Sequence, residues 1–366
     1  MDAVTTRMPH VPVLDGLRAA AILIVMVAHA GLGNVVPGGF GVTIFFFLSG
    51  YLITSLLRTE GAAHGRTDLR DFYWRRALRI FPPLYITLAL TLGAMATGLL
   101  PGQIHASSVL LDALFLTNYA HLFGPENGAP VPLWSLDVEE HFYLLFSTAF
   151  ALAFVRMPAA RAARWCAIAC IVVLAIRVVN VVMLPDFSRN YYWSHTRLDS
   201  ILFGCCLALW NNPALDRDAW RPRGWHVAAA IAVLLACLAI RDAVFRETLR
   251  YSLQGAALFV LFSAALHAKG AVARLLSSTP LRIVALLSYT LYLAHMPMAV
   301  SLEHAFGIHH APTRELLGAA LSFGYAAAMY VAVERPIARW RRRRDRARRT
   351  GATALPAVAT PSAPPA

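Results

Sequence analysis

Two ionisable side chains in the first apolar segment are the strongest candidates for chemistry in this sequence. Arg18 and His29 lie within the apolar run from Val13 to Gly31, and ionisable residues inside a membrane span are costly enough to indicate a function. Their separation of 11 residues places them within about 20° of one another on an α-helix and about 16 Å apart along its axis. An arginine binds phosphate or carboxylate, and a histidine exchanges protons near neutral pH. The spacing therefore suits an anionic carrier held at Arg18 whose reactive end lies at His29.

A structural interpretation of both side chains stays open at this point. The side chain of Arg18 can extend to the membrane surface, as arginine does near the ends of spanning helices. His29 can form a hydrogen bond with a neighbouring helix. Both interpretations require the same element, an opening helix that crosses a membrane.

The composition is typical of a membrane protein. Hydrophobic residues make up 58% of the 366 residues and charged residues 14%, whereas about a quarter of the residues in a soluble domain are charged. Ten apolar segments approach the length of a spanning helix, which predicts an all-α bundle of about ten transmembrane helices. The segments are residues 13–31, 40–57, 82–100, 136–155, 165–184, 197–211, 225–240, 250–267, 283–302 and 315–334.

The apolar stretch from Ala106 to Ala120 is too short to count as an eleventh span. As a helix it would rise about 22 Å, against a hydrocarbon core of about 30 Å, so we predict an interfacial or re-entrant segment. With ten spans, 25 of the 33 Lys and Arg residues fall on the side of the N-terminus and 6 on the other side. Because cytoplasmic loops are enriched in Lys and Arg, both termini are predicted to be cytoplasmic.

The last 30 residues differ in composition from the rest of the chain. We therefore predict a membrane domain over residues 1–336 and a cytoplasmic tail over 337–366. The tail begins with an arginine block, Arg339 to Arg349, and continues from Thr350 as an Ala- and Pro-rich stretch that is predicted to be disordered. The arginine block is interpreted as an anchor on anionic lipid, and no nucleic-acid partner is expected. The five cysteines lie in apolar segments without metal-ligand spacing, so no metal site is expected.

Short motifs follow one another in order between residues 14 and 336. In the first half of the chain they are Asp15-Gly16-Leu17-Arg18 with His29, Phe45 to Ile53, Arg75-Arg76 with Arg79, and Trp134 to Tyr143. In the second half they are Arg197 with Asp199 and Gly204, Ser288-Tyr289 with His295, and Glu334-Arg335-Pro336. Together these motifs resemble the acyltransferase 3 family of integral membrane acyltransferases, which includes O-antigen O-acetylases and macrolide acyltransferases.

The resemblance implies an acyl-CoA donor, usually acetyl-CoA, that is supplied from the cytoplasm, and essential roles for Arg18 and His29. His29 would act as a general base on the acceptor hydroxyl or accept the acyl group transiently. Arg18, together with Arg75, Arg76 and Arg79, would hold the phosphates of coenzyme A. The three loop arginines also fit the topology alone, so that alternative stays open for them.

Two adjacent carboxylates begin the fourth apolar segment. Glu139 and Glu140 are candidates for orienting His29 or binding the hydroxyls of the acceptor. The alternative is structural, because acids near a helix N-terminus stabilise the helix by themselves. Further candidates for binding the acceptor are Asp15, Tyr289 and His295.

A second group of buried charges is predicted in the fifth and sixth apolar segments. Arg197 and Asp199 are expected to form either an intramembrane ion pair or part of the acceptor pocket. Arg177 is expected to extend to the membrane surface.

These observations predict an O-acyltransferase of the bacterial inner membrane whose acceptor is a surface polysaccharide or a lipid-linked sugar. The expected partners are acyl-CoA, a glycan or glycan-like acceptor and membrane lipid. A secreted small molecule such as a macrolide is an alternative acceptor. A transporter, with Arg18, Glu139 and His29 along a substrate or proton path, is a hypothesis of another class, and the lack of a visible internal repeat disfavours it.

Overall fold

The computed structural model describes residues 10–122 and 128–353, without the side chains of 346–353. All regular structure in these ranges is helical, which confirms the all-α prediction for the described part of the chain. Short π-helical segments, Ala28–Leu32 and Tyr330–Glu334, continue the first and the thirteenth α-helix. The α-helices are α1 (Pro12–Val27), α2 (Gly38–His64), α3 (Leu69–Ala96), α4 (Ala106–Ala113), α5 (Trp134–Leu152), α6 (Ala159–Met183), α7 (Ser194–Trp210), α8 (Gly224–Ala239), α9 (Ala243–Glu247), α10 (Leu249–Leu266), α11 (Gly270–Leu276), α12 (Thr279–His304), α13 (Ala311–Met329) and α14 (Arg335–Thr353).

Seven helices of the described chain are long and apolar enough to cross a membrane, which indicates a multi-pass membrane protein. Each has at least 18 residues, close to the number that a hydrocarbon core of about 30 Å requires. They are Pro12–Leu32, Gly38–His64, Leu69–Ala96, Ala159–Met183, Leu249–Leu266, Thr279–His304 and Ala311–Asp345.

The other three predicted spans coincide with α5, α7 and α8, which are helical but do not meet this criterion. Helix α7 has 17 residues and α8 has 16. Helix α5 has 19 residues but includes the acids Asp137, Glu139 and Glu140. Helix α7 packs against α2, α6 and α10, so that its polar side chains meet protein groups that can pair with them. The count of about ten spans therefore stays a prediction.

The stretch from Ala106 to Ala120 does not form a spanning helix. It contains α4, whose eight residues rise about 12 Å, and the start of a 3₁₀ helix, Thr117–Leu122. This segment is attached to the bundle by Asn118. The backbone N–H of Asn118 donates to Asp137 Oδ2 at 2.9 Å, and its side-chain amide donates to Ser194 Oγ at 2.8 Å.

Helices α2 and α7 approach each other closely through two glycines. An added Cβ at Gly50 would overlap the backbone of Ile201, and one at Gly204 would overlap the backbone of Phe47. Small residues allow helix backbones in membranes to come this near. Helix α1 in turn packs against both α2 and α12, so the α2–α7 pair supports the helix that carries Arg18 and leads to His29.

The arginine block continues the last spanning helix as α14, which packs against α3. The guanidinium of Arg344 lies 5.2 Å from the ring centroid of Trp74 on α3. Helix α14 includes the first residues of the stretch that was predicted to be disordered, up to Thr353. The rest of that stretch, 354–366, lies outside the described residues.

Candidate functional site

A cavity of about 340 Å³ lies beside Arg18, between α1, α2, α3, α5 and α12. Its lining combines an apolar wall from α2 with three arginines, two acids and His10. The lining arginines and acids are Arg18, Arg76, Arg79, Asp15 and Glu139. A partly apolar cavity with converging guanidinium groups suits a ligand that has both an anionic and an apolar part.

Glu139 is held against the wall of this cavity by two hydroxyl groups. The hydroxyl of Ser49 donates to Glu139 Oε1 and that of Tyr143 donates to Glu139 Oε2, both at 2.9 Å. The guanidinium of Arg76 lies 4.0 Å from the centroid of the Tyr143 ring. Glu139 therefore belongs to the Arg18 cavity, whose lining in the described chain does not include His29. Glu140, the next residue, is also absent from that lining.

Two of the three predicted phosphate-binding arginines on α3 lie with Arg18. Arg76 and Arg79 are three positions apart and therefore share one helix face, and both line the cavity. Arg75 instead forms an ion pair with Asp71 and lies 3.8 Å from Glu60. It lines a neighbouring cavity of about 940 Å³ that also includes Arg76 and Arg79. The charge of Arg75 is thus balanced by these two acids.

Asp15 and Tyr289, predicted to bind the acceptor, also line the Arg18 cavity. The carboxylate of Asp15 lies 2.9 Å from His10 Nε2. The hydroxyl of Tyr289 donates to the backbone oxygen of Ile80 at 2.9 Å. Both side chains are therefore at the Arg18 end of α1, rather than beside His29 at its other end.

His29 contacts a second histidine, His295. The Nε2 atom of His295 lies 3.4 Å from Nδ1 of His29, and the ring centroids are 5.1 Å apart. His29 lies in the π-helical segment after α1, where Gly31 has a φ of 81°, a conformation that suits glycine. Its side chain is exposed, whereas His295 is buried. In this pair the imidazole of His29 is therefore accessible, and the imidazole of His295 lies buried behind it.

Backbone oxygens determine which ring nitrogens carry protons. His29 Nδ1 lies 3.0 Å from the oxygen of Val25, and His295 Nδ1 lies 2.8 Å from the oxygen of Tyr292. A carbonyl oxygen only accepts hydrogen bonds, so both Nδ1 atoms donate and His295 Nε2 is free to accept from His29. The Nε2 atom of His29 then has a free lone pair, as a general base requires.

Tyr292 lies between the Arg18 cavity and the histidine pair. It lines the cavity, and its ring centroid is 5.7 Å from that of His295. Its hydroxyl is 2.6 Å from that of Ser135, another lining residue. The two ends of α1 thus have different surroundings, and Tyr292 is a lining residue of the cavity that also contacts His295. The sequence predicted the two ends but not this difference.

Of the two alternatives predicted for Arg197 and Asp199, the ion pair is wrong. Residues two positions apart on a helix face in nearly opposite directions, and Asp199 instead pairs with Arg177 of α6. The contacts are 2.8 Å from Nη1 to Oδ1 and 2.7 Å from Nη2 to Oδ2, and both side chains are fully buried. The expectation that Arg177 extends to the membrane surface is therefore also wrong.

Arg197 is left as a buried cation without a carboxylate partner among the described residues. Its Nη2 donates to Thr43 Oγ1 at 3.1 Å, while its Nε and Nη1 have no hydrogen-bond partner in the described structure. Its guanidinium lies 3.9 Å from the centroid of the Tyr251 ring, and three more aromatic rings surround it within 5.9 Å. Cation–π contacts therefore take the place of an ion pair.

The sequence did not predict a role in the site for four hydroxyl residues. Ser49, Ser135, Tyr143 and Tyr292 all lie inside the motifs that carry the resemblance, and Tyr292 lies one helical turn before His295. A hydroxyl in a spanning helix also has a structural use, which is to donate to the backbone of its own helix. The contacts of Ser49 and Tyr143 with Glu139, and that of Ser135 with Tyr292, distinguish these four from hydroxyl residues that only bond to their own helix.

Comparison with known proteins agrees with the resemblance. The putative peptidoglycan O-acetyltransferase YrhL of Bacillus subtilis is 32% identical over 80% of this chain and 49% of its own length. The O-acetyltransferase OatA of Staphylococcus aureus is 30% identical over 80% of this chain and 51% of its own length. The peptidoglycan O-acetyltransferase OatA of Listeria monocytogenes is 28% identical over 90% of this chain and 56% of its own length.

The chain spans about half the length of these curated relatives. No solved structure gives a significant match. A family model described as an acyltransferase domain matches residues 11–333, nearly the whole described chain. The protein therefore belongs to the acyltransferase 3 family.

Proposed function

We propose that this protein is an O-acyltransferase that moves an acyl group, normally acetyl, from acyl-CoA to a hydroxyl group of a cell-surface glycan. The observation that carries the proposal is the arrangement of α1, with a cavity rich in arginine at Arg18 and an exposed imidazole at His29. The proposal includes a location in the bacterial inner membrane, with both termini in the cytoplasm. The Arg18 cavity then faces the compartment that contains acyl-CoA.

Arg18, Arg76 and Arg79 would bind the phosphates of the donor. A guanidinium forms charge-assisted hydrogen bonds with phosphate oxygens, and these are often bidentate. The apolar residues of α2 in the same lining suit the uncharged arm of coenzyme A, which would extend along the cavity towards Tyr292. Hydrogen bonds from Ser49 and Tyr143 hold the carboxylate of Glu139 in place, and Glu139 would orient this arm within the cavity.

His29 would act on the acceptor hydroxyl from the other end of α1. Its free Nε2 takes the hydroxyl proton as the acceptor oxygen attacks the thioester carbonyl, and the C–S bond breaks to release coenzyme A as a thiolate. His29 then carries a positive charge, which the acceptors at its Nδ1, Val25 O and His295 Nε2, stabilise. Tyr292 would have to move during transfer, because it lines the donor cavity and lies beside His295.

The acceptor is proposed to be a polysaccharide or a lipid-linked sugar. Support comes from the relatives, two of which are named as acting on peptidoglycan, while this chain aligns with about half of their length. The exposure of His29 fits a large acceptor that approaches from outside the bundle.

The test is a thiol-release assay with purified protein, radiolabelled acetyl-CoA and a panel of oligosaccharides. We expect coenzyme A to be released and the label to appear on a glycan in equal amounts, and His29→Ala to abolish both while the protein still inserts into membranes. A matched control is His304→Ala at the end of α12, an exposed histidine outside the pair, which should retain activity. Full acylation of the glycan by His29→Ala would overturn the proposed mechanism. Movement of solute without any thiol release would favour a transporter.

A further inference from the structure

A second cavity that is rich in arginine lies at the His29 end of the bundle. It has a volume of about 270 Å³, and its lining includes Arg241, Arg246 and Arg250 from the segment around α9. On the predicted topology only six of the 33 Lys and Arg residues lie on this side, and half of these six line this one cavity. Retention of positive charge in the cytoplasm does not account for arginines on the opposite side.

The charges of this cavity are only partly balanced. Its described lining contains no Asp or Glu. Glu247, outside this lining, lies 3.8 Å from Arg250 and also accepts a hydrogen bond from the Tyr251 hydroxyl. The Nε of Arg250 is buried without a hydrogen-bond partner in the described structure. Arg241 donates to the backbone oxygen of Asn34 at 3.0 Å. Arg246, which is exposed, forms no ion pair within the described ranges.

The buried Arg197 adds to the positive potential of this cavity. It lies against the rings of Tyr251 and Tyr191, at 3.9 Å and 5.3 Å from their centroids, and both tyrosines line the cavity. Fixed charges beside walls of low dielectric constant attract counter-ions strongly. An acceptor pocket was one of the two alternatives predicted for Arg197, which lies directly behind the two tyrosines of this cavity.

The cavity adjoins His29. One wall is the segment 33–40, which follows the π-helical segment that carries this histidine. An added Cβ at Gly38, a lining residue, would lie 4.0 Å from His29 Cε1. A molecule bound in the cavity therefore needs to extend by only a few bonds to bring a hydroxyl group to His29.

We propose that this cavity is the subsite for an anionic group, carboxylate or phosphate, on the acceptor that His29 deprotonates. The inference rests on the proposed acyltransferase function and adds the charge of the acceptor to it. Arginine pairs with both anions in the same geometry. The charge has two chemical sources, a carboxylate on the glycan itself or the phosphates of a lipid carrier that holds the glycan.

The test compares acceptors with and without an anionic group. Wild-type protein, Arg246→Gln and Arg241→Gln are assayed for label transfer to three acceptors: a neutral oligosaccharide, the same oligosaccharide with a carboxylate, and the neutral form linked to a polyprenyl diphosphate. We expect wild-type protein to prefer at least one charged acceptor by about tenfold in kcat/KM, or about 1.4 kcal/mol. Each variant should lose most of this preference and keep its rate on the neutral acceptor. A preference for the carboxylated form alone identifies the glycan as the source, and a preference for the lipid-linked form alone identifies the carrier.

Two further variants make the result specific. Arg246→Lys keeps the charge and should keep a preference of several-fold. Arg189→Gln removes an arginine that is paired with Asp186 at 3.4 Å and does not line the cavity, so it should behave as wild type. Equal slowing of charged and neutral acceptors by Arg246→Gln, or equal use of all three by wild type, would overturn the subsite while the acyltransferase proposal stands. Failure of wild-type protein to acylate any acceptor would overturn both.

Discussion

The buried pair of Arg177 and Asp199 offers the most direct test of how the bundle is held together. Replacing Asp199 with Asn removes the negative charge that two guanidinium nitrogens contact at 2.8 Å and 2.7 Å. Both side chains are fully buried, so water cannot take the place of the carboxylate. Breaking one partner of a buried ion pair costs about 3–5 kcal/mol. Since domains are stable by about 5–15 kcal/mol, this variant should lose a large part of its stability.

The assay measures the loss of helix content as the purified protein in detergent is unfolded by heat or by denaturant. We expect Asp199→Asn to unfold at a clearly lower temperature than wild type. The matched control is Asp186→Asn, whose carboxylate is exposed and pairs with Arg189 at 3.4 Å. An exposed pair contributes about 0–1 kcal/mol, so the control should unfold almost as wild type does.

A double variant separates stability from substrate binding. Replacing both partners by apolar residues of similar size, Arg177→Met with Asp199→Leu, should restore most of the stability, because no charge is left unpaired. If Asp199 only holds α6 against α7, this protein should also be active. If Asp199→Asn is as stable as the control, the pair does not stabilise the bundle and the structural role is refuted. If the double variant is stable but inactive, Asp199 takes part in substrate binding instead.

Two further predictions concern the donor cavity and the helix packing. Arg18→Gln should lower kcat/KM for acetyl-CoA by about 10- to 150-fold, which corresponds to the loss of one charge-assisted hydrogen bond. Arg75→Gln should change kcat/KM less than threefold, because Asp71 and Glu60 balance the charge of Arg75. Equal effects of the two substitutions in steady-state kinetics would exclude selective donor binding by Arg18. Gly204→Ala should destabilise the protein by about 1–3 kcal/mol because its Cβ would overlap the backbone of Phe47. Gly93→Ala should be neutral or stabilising, because the space around the added Cβ is open. Equal melting temperatures for Gly204→Ala and Gly93→Ala would contradict the close packing of α2 against α7.

The sequence predicted the parts of the structure that depend on local pattern. Each of the ten apolar segments coincides with a helix, because apolar runs of this length require internal backbone hydrogen bonds in a membrane. Helical periodicity identified Arg18 and His29 as the two ends of the opening helix, although the helix becomes π-helical at Ala28, just before His29.

Contacts between helices far apart in the chain could not be predicted in this way. Nothing in the local pattern around Asp199 indicates that Arg177, rather than Arg197, is its partner, or that Arg197 is surrounded by aromatic rings. The contact between His29 and His295 joins residues 266 positions apart. Likewise, the hydrogen bond between Ser135 and Tyr292, which both line the donor cavity, joins α5 to α12.

The central claim is that the donor binds at the Arg18 end of α1 and the acyl group is transferred at the His29 end. It is tested most directly with sealed vesicles that contain the protein in one orientation, established by protease access to a tag on the C-terminus. Acetyl-CoA is supplied on the side of α14 and the glycan acceptor on the other side, and acetylated glycan is measured. We predict acetylation in this arrangement and little when the two substrates exchange sides. Equal acetylation with the acceptor present only on the α14 side would contradict the claim.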